Sequence, residues 1–233
     1  MKWEDIKVSR SNTYFLFEGE QVFDRQFIEV LKFHSPGIAP VKDDTGSYHI
    51  DVMGNQLYFD RYTRTFGFYC NRAAVVQNKN WFHITEKGEK AYSDSYQWVG
   101  NYQENLCTVR DFNNRYFHIN QNGSKNYSEY YVYAGDYKDG IACVKLSSGF
   151  YRHIDSYGAF LNEKEFLDLG IFHKNFATAK DQQGWHHIDR TGKAIYENRY
   201  AVVEPFYNGF ALVTTHDDQK SVINEKGELI LKV

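Results

Sequence analysis

The sequence predicts an all-β fold built from tandem units of about 35 residues: a seven-bladed β-propeller with short blades, with a β-solenoid as the alternative arrangement. Three observations lead there. A His-Ile pair recurs at His49, His83, His118, His153 and His187, at intervals of 34, 35, 35 and 34 residues. A glycine follows each histidine by five residues, at Gly54, Gly88, Gly123, Gly158 and Gly192. Aromatic residues make up 18% of the chain against three prolines, and aromatic and β-branched side chains suit a pleated, half-buried surface. No segment has helical periodicity; Glu163 to Leu169 comes nearest, but it is too short and lies inside the repeat frame.

Each unit divides into three short segments. The first is a small-apolar strand, as in Ala73-Ala74-Val75-Val76, Ile141-Ala142-Cys143-Val144 and Phe210-Ala211-Leu212-Val213. A polar turn follows, such as Asp43-Asp44-Thr45-Gly46 or Asp181-Gln182-Gln183-Gly184, with residues that supply positive φ or local side-chain hydrogen bonds. The second strand carries the histidine, as in Trp81-Phe82-His83-Ile84 and Trp185-His186-His187-Ile188-Asp189. The glycine then turns the chain into a third segment ending in an aromatic, as in Leu57-Tyr58, Lys90-Ala91-Tyr92 and Ala194-Ile195-Tyr196. A longer connection returns to the next unit and holds two aromatics six residues apart, from Tyr62 and Phe68 through to Tyr200 and Phe206.

The frame extends to both ends. Val222-Ile223-Asn224 and Gly227 form a C-terminal copy with an apolar residue in the histidine slot. Gly19 lies 35 residues before Gly54, Tyr14 takes the histidine slot there, and Ile6-Lys7-Val8 supplies a degraded first strand. Residues 1–233 therefore read as one β-repeat domain of seven units, marked by Gly19, Gly54, Gly88, Gly123, Gly158, Gly192 and Gly227. Units this small cannot bury their apolar faces alone and must stack on neighbours. Pairing of residues 1–11 with Leu229–Val233 is the contact expected to mark a closed ring.

Composition narrows the function. Lys plus Arg total 27 against 30 for Asp plus Glu, so no basic surplus drives phosphate-backbone binding, and a nucleic-acid partner is not expected. No apolar run spans a bilayer and the first residues have no secretory h-region, which points to a cytoplasmic setting unless the chain is delivered as an effector. Cys70, Cys107 and Cys143 form neither a disulfide framework nor a CxxC pair. No GxSxG elbow, P-loop or HExxH is present, and no cofactor is implied.

The succession of small-apolar strand, polar turn, Trp-x-x-Ile-Asp, glycine and terminal aromatic resembles the bacterial WG-repeat (KWG) family, from about residue 37 to residue 230. That family has glycine directly after the tryptophan, whereas this chain has Trp81-Phe82-His83 and Trp185-His186-His187, which marks a divergent branch. The resemblance implies an accessory binding module and no catalytic residues.

On a strand, residues two apart share a face, so each histidine lies with the residue two beyond it: His49 with Asp51, His153 with Asp155, His187 with Asp189. The expectation is a structural imidazole that gives its N–H to a neighbouring carboxylate or carbonyl. A metal site is not expected, because equivalent slots on packed sheets sit about 10 Å apart while zinc ligands converge at about 2 Å. Cys107 and Cys143 occupy small-apolar strand slots and read as buried thiols. Trp98, Tyr133 and Phe172 lie in the long connections and, with the repeat-breaking His173, are the candidate ligand contacts; Trp98 and Tyr133 hold the same slot of consecutive units. The reading is a non-catalytic module that binds a protein or a carbohydrate. The alternative is a hydrolase or transferase with its site across repeats at the histidine slot.

Overall fold

The computed structural model describes residues 1–233 and is all-β apart from one 3₁₀ turn at Trp3–Asp5. Twenty-two strands form seven separate antiparallel sheets, the blade set of a seven-bladed β-propeller. The first sheet joins β1 (Lys7–Val8), β2 (Phe15–Phe17) and β3 (Glu20–Val22). Next come β4 (Glu29–Val30), β5 (Ala39–Asp43) and β6 (Gly46–Ile50), then β7 (Arg64–Tyr69), β8 (Arg72–Gln77) and β9 (Asn80–Ile84). The fourth and fifth hold β10 (Trp98–Val99), β11 (Leu106–Arg110) and β12 (Tyr116–Asn120), and β13 (Tyr133–Ala134), β14 (Ile141–Lys145) and β15 (Tyr151–Asp155). The sixth holds β16 (Asp168–Leu169), β17 (Ala177–Asp181) and β18 (Gly184–Ile188). The last has four strands: β19 (Val202–Val203), β20 (Phe210–Thr214), β21 (Lys220–Asn224) and β22 (Leu229–Lys232).

Separate antiparallel sheets, each made from about one repeat length, replace the continuous ladders that a β-solenoid would show. The terminal strands pair within their own sheets, β1 with β2 and β22 with β21. The fold class rests on the seven discrete sheets.

Two elements differ from the sequence reading. The third segment of the unit is reduced to a single bridge after the glycine turn, as at Ile50 with Gln56 and Ile84 with Lys90. The first strand of each sheet comes instead from the connection, where two residues such as Trp98–Val99 or Val202–Val203 pair with the small-apolar strand. The hairpin after this strand turns through consecutive positive-φ residues, for instance Asn208 at 50° and Gly209 at 84°, the turn whose twist matches that of its strands.

By contact density the chain forms two compact units, residues 1–114 with 118–125, and residues 115–117 with 126–233. In each, the small-apolar strands and the isoleucines after the histidines make the core: Ile50, Ile84, Ile119, Ile154 and Ile188 are fully buried. No helix is long and apolar enough to cross a membrane.

Candidate functional site

The recurrent histidines are buried, at 0% exposure for His49, His83, His118 and His187 and 3% for His153. Their bonding follows from register. In His49, Nε2 lies 2.8 Å from the Phe66 carbonyl, 17 residues on, and Nδ1 meets the Tyr58 hydroxyl, nine residues on. His83 repeats this with Gly100 at 3.0 Å and Tyr92 at 2.5 Å, and His187 with Glu204 at 2.8 Å and Tyr196 at 2.5 Å. A carbonyl can only accept, so the proton sits on Nε2 and Nδ1 accepts the phenol O–H. Burial pushes His49, His83 and His187 down to about 4, so each is neutral in the fold. The same burial raises Tyr58, Tyr92 and Tyr196, keeping them protonated as donors.

The tyrosine reaches further. A Cβ built on Gly88 would lie 2.5 Å from Cγ of Tyr58, and one on Gly227 would lie 2.6 Å from Cγ of Tyr196. These glycines also sit at φ +80° and +78°, where a side chain is strained. The repeat glycine is thus a cradle for the preceding unit's tyrosine ring. Histidine, tyrosine and next-unit glycine form one link of the frame.

The residue two beyond the histidine does not serve the imidazole. Asp51 accepts the amides of Met53 and Asn55 at 2.8 and 2.9 Å, and Asp155 and Asp189 do the same in their turns. The carboxylate folds the glycine turn, leaving the carbonyl as the histidine's partner. Cys143 is buried, gives its S–H to the Leu169 carbonyl at 3.3 Å, and is raised by burial to about 12; Cys107 is 1% exposed, with Sγ 3.8 Å from His83 Nε2. No group of three or more His, Cys, Asp or Glu is placed to hold a metal ion.

The frame breaks at the fifth and sixth repeats. Asn162 stands where other units have the tyrosine, and its amide turns away to the Arg190 carbonyl and the Lys164 N–H. His153 keeps its Nε2 bond to the Gly170 carbonyl at 2.8 Å, but its buried Nδ1 has no partner. Beside it the second-strand position before the histidine changes as well. In the second repeat this is Tyr48, whose hydroxyl donates to Asp43 Oδ2 at 2.8 Å beneath the Arg61 guanidinium, 3.8 Å from the ring centroid. In the sixth it is His186, between the corresponding Asp181 and Arg199. Arg61 and Arg199 are held alike, each donating Nη1 to three successive carbonyls.

A cleft of about 640 Å³ lies beside this imidazole, lined by Lys164, Glu165, Phe166, Asp181, His186, Thr191, Gly192, Lys193, Ala194 and Arg199. His186 is 3% exposed; its Nδ1 lies 3.7 Å from Asp181 Oδ2 and makes no hydrogen bond. Burial, then the Arg199 charge, lowers its pKa. Arg199 Nε donates to Asp181 Oδ2 at 2.7 Å, which helps to hold that carboxylate below its usual value against the opposing cost of burial. His186, in the slot held by Tyr48, Phe82 and Phe117 in earlier units, is a lining residue that departs from the repeat pattern.

The candidates named from sequence separate. Tyr133, on β13, is 45% exposed, with its ring 5.7 Å from that of Tyr116. Trp98, on β10, is half-buried and pairs in register with Arg110. Phe172 is 1% exposed and packs on the His153 ring at 4.6 Å, which corrects the expectation of an exposed ring: it is the second of the paired aromatics and caps the imidazole. His173 is half-buried, with Nδ1 3.5 Å from Lys138 Nζ. More exposed rings lie elsewhere, at Phe59 (89%), Tyr157 (84%) and Tyr207 (74%).

A model of the WG containing repeat matches residues 188–217. Comparison with curated proteins yields no sequence match. Among solved structures, a eukaryotic initiation factor aligns with TM-score 0.61 at 10% identity, over 98% of this chain and 72% of the other. The computationally designed Ika8 protein aligns at 0.54 and 12% identity, over 98% and 85%. BamB from Moraxella catarrhalis aligns at 0.52 and 13% identity, over 98% and 81%. At such identities the likeness is one of fold. Residues 188–217 thus match a WG-containing repeat, and the other units of the chain share its spacing.

Proposed function

We propose that the chain is a non-catalytic binding module that holds a protein or glycan through exposed apolar and aromatic side chains. The observation supporting this reading is a set of exposed apolar and aromatic side chains on or next to the edge strands of the second compact unit. Val132 and Tyr133 at β13, Leu167 beside β16 and Val202 on β19 are 53%, 45%, 44% and 52% exposed. They sit on the edge strands of three successive sheets, so a rigid frame presents them with little conformational entropy to lose. At the histidine slot, by contrast, the His49, His83 and His187 imidazoles have both nitrogens bonded away from solvent, which disfavours an enzyme site there.

The test uses the labelled chain on glycan and peptide arrays. Tyr133→Ala and Val202→Asp are each expected to weaken the ligand found by about tenfold, the effect of losing a moderate contact, with melting temperature unchanged. A ligand indifferent to both substitutions, or empty arrays, would overturn the reading.

A further inference from the structure

The repeat frame leaves one glycine and one slot residue over. Six of the seven repeat glycines receive the residue at the tyrosine slot of the preceding unit, from Phe23 on Gly54 to Tyr196 on Gly227. In each case an atom of that residue lies within 2.7 Å of where a Cβ would stand. Gly19 receives nothing, with no atom within 4 Å of that position. Leu231, nine residues after Val222, holds the tyrosine slot of the seventh unit. It is 58% exposed, and Leu229, Ile230 and Val233 beside it are each more than half exposed.

We propose that these two surfaces meet between copies of the chain, β22 of one copy seating Leu231 on Gly19 of a second. The contact is separate from the edge-strand surface of β13, β16 and β19 and does not depend on it. A cleft of about 570 Å³ opens at Gly19, with Leu16 and Phe17 half-buried along it. Glu4, Asp5 and Glu18 line it against a single cation, Lys7, so the cleft is acidic. The incoming strand is apolar from Leu229 to Leu231 and basic at Lys232. Its leucines suit Leu16 and Phe17, and its ammonium suits the carboxylates.

The seventh unit also differs in how it holds its slot residue. In the second to sixth units the segment after the glycine makes one bridge and then carries its slot residue to the next unit. In the seventh it runs on as a strand: Leu231 pairs with Val222, Lys232 with Ser221, and the Val233 N–H donates to the Lys220 carbonyl at 3.0 Å. Fixed in its own sheet, β22 is an exposed apolar edge strand, a surface suited to a partner. The offset that seats Tyr58 on Gly88 supplies that partner as Gly19 of another copy. Such a contact is head-to-tail, so it builds rings or open chains and not a two-fold dimer.

The experiment is sedimentation equilibrium of the whole chain from about 5 to 500 µM, the range in which a small contact assembles. The weight-average mass should rise with concentration beyond that of one copy. Leu231→Asp spoils the strand, and Asp5→Lys with Glu18→Lys reverses the charge of the cleft. Each variant should associate about tenfold more weakly, with its melting temperature unchanged because all three positions are exposed. Mixing the two variants leaves one intact contact, the strand of the cleft variant in the cleft of the strand variant. The mixture should therefore form pairs and stop at two copies. Pairing of β22 with β22 would instead leave the cleft variant associating like the parent. That result, a single copy at every concentration, or a mixture no heavier than its components would overturn the proposal.

Discussion

The second and fifth repeats share a frame and differ at its key contact. In the second, His49 accepts from Tyr58, and the Tyr58 ring lies in the cradle of Gly88. In the fifth, Asn162 takes the tyrosine's place in the sequence, His153 Nδ1 has no partner, and Gly192 is met by Asn162 and Lys164 instead of a ring. A second contrast sets Tyr48 over Asp43, in the second repeat, against His186 over Asp181 in the sixth. A repeat can give up its phenols without losing its strands, because the isoleucine after the histidine stays fully buried in both. What it gives up is a hydrogen bond, since the buried Nδ1 atoms of His153 and His186 are left without a partner.

The largest expected effect breaks the intact link directly. Gly88→Ala puts a methyl 2.5 Å from Tyr58 Cγ at φ +80° and should cost about 3 kcal/mol or more, read as a loss in urea midpoint. Gly192→Ala faces an amide oxygen and a lysine methylene and should cost less, about 1–2 kcal/mol. Equal losses would show that backbone strain alone, without the ring, sets the cost.

Acid should act on both regions alike, since burial is the leading cause of the shift at His49, His83, His153 and His187, all near 4. Between about 4 and 6.5 the unfolded chain binds more protons than the folded one. Stability is therefore full above pH 6.5 and falls as pH drops towards 4. A stability profile flat from pH 7 to pH 4.5 would contradict neutral buried imidazoles.

Two smaller changes exchange the regions. Tyr58→Phe leaves His49 Nδ1 buried and unpartnered and should cost about 1–3 kcal/mol in chemical denaturation. Asn162→Tyr restores the donor to His153 and should gain about 1 kcal/mol, less whatever displacing Lys164 from Gly192 costs. Destabilisation by Asn162→Tyr would mean that the slot has closed around Asn162.

Much of this was legible in the sequence, and the misses share a cause. The spacing of histidine, isoleucine and glycine marked the repeat because each contact recurs at a fixed offset along one strand and its turn. The buried imidazole was legible too, with a carboxylate or a carbonyl as its partner, but which of the two was not. Asp51 is two residues away and on the same face, yet it is spent on the turn amides. The true acceptor, the Phe66 carbonyl, is 17 residues on and has no side-chain signature. Phe172 looked like a surface ring because it sits in a long connection, but that connection folds back over His153. Asn162 and His186 could be seen only as breaks in a column of aromatics. Their meaning needed the geometry that sets Tyr58 against Gly88 and Tyr48 against Asp43.

The central claim is that the repeat histidines are neutral frame elements, held by a backbone carbonyl at Nε2 and, where the tyrosine is present, by its hydroxyl at Nδ1. Imidazole ¹⁵N NMR across pH 7.5 to 5.5 tests it most directly. His49, His83 and His187 should hold one pattern throughout, protonated at Nε2 and accepting at Nδ1, while solvent-accessible histidines titrate. Titration of those three with midpoints near 6.5 would contradict the account and return the histidine slot to the list of reactive sites.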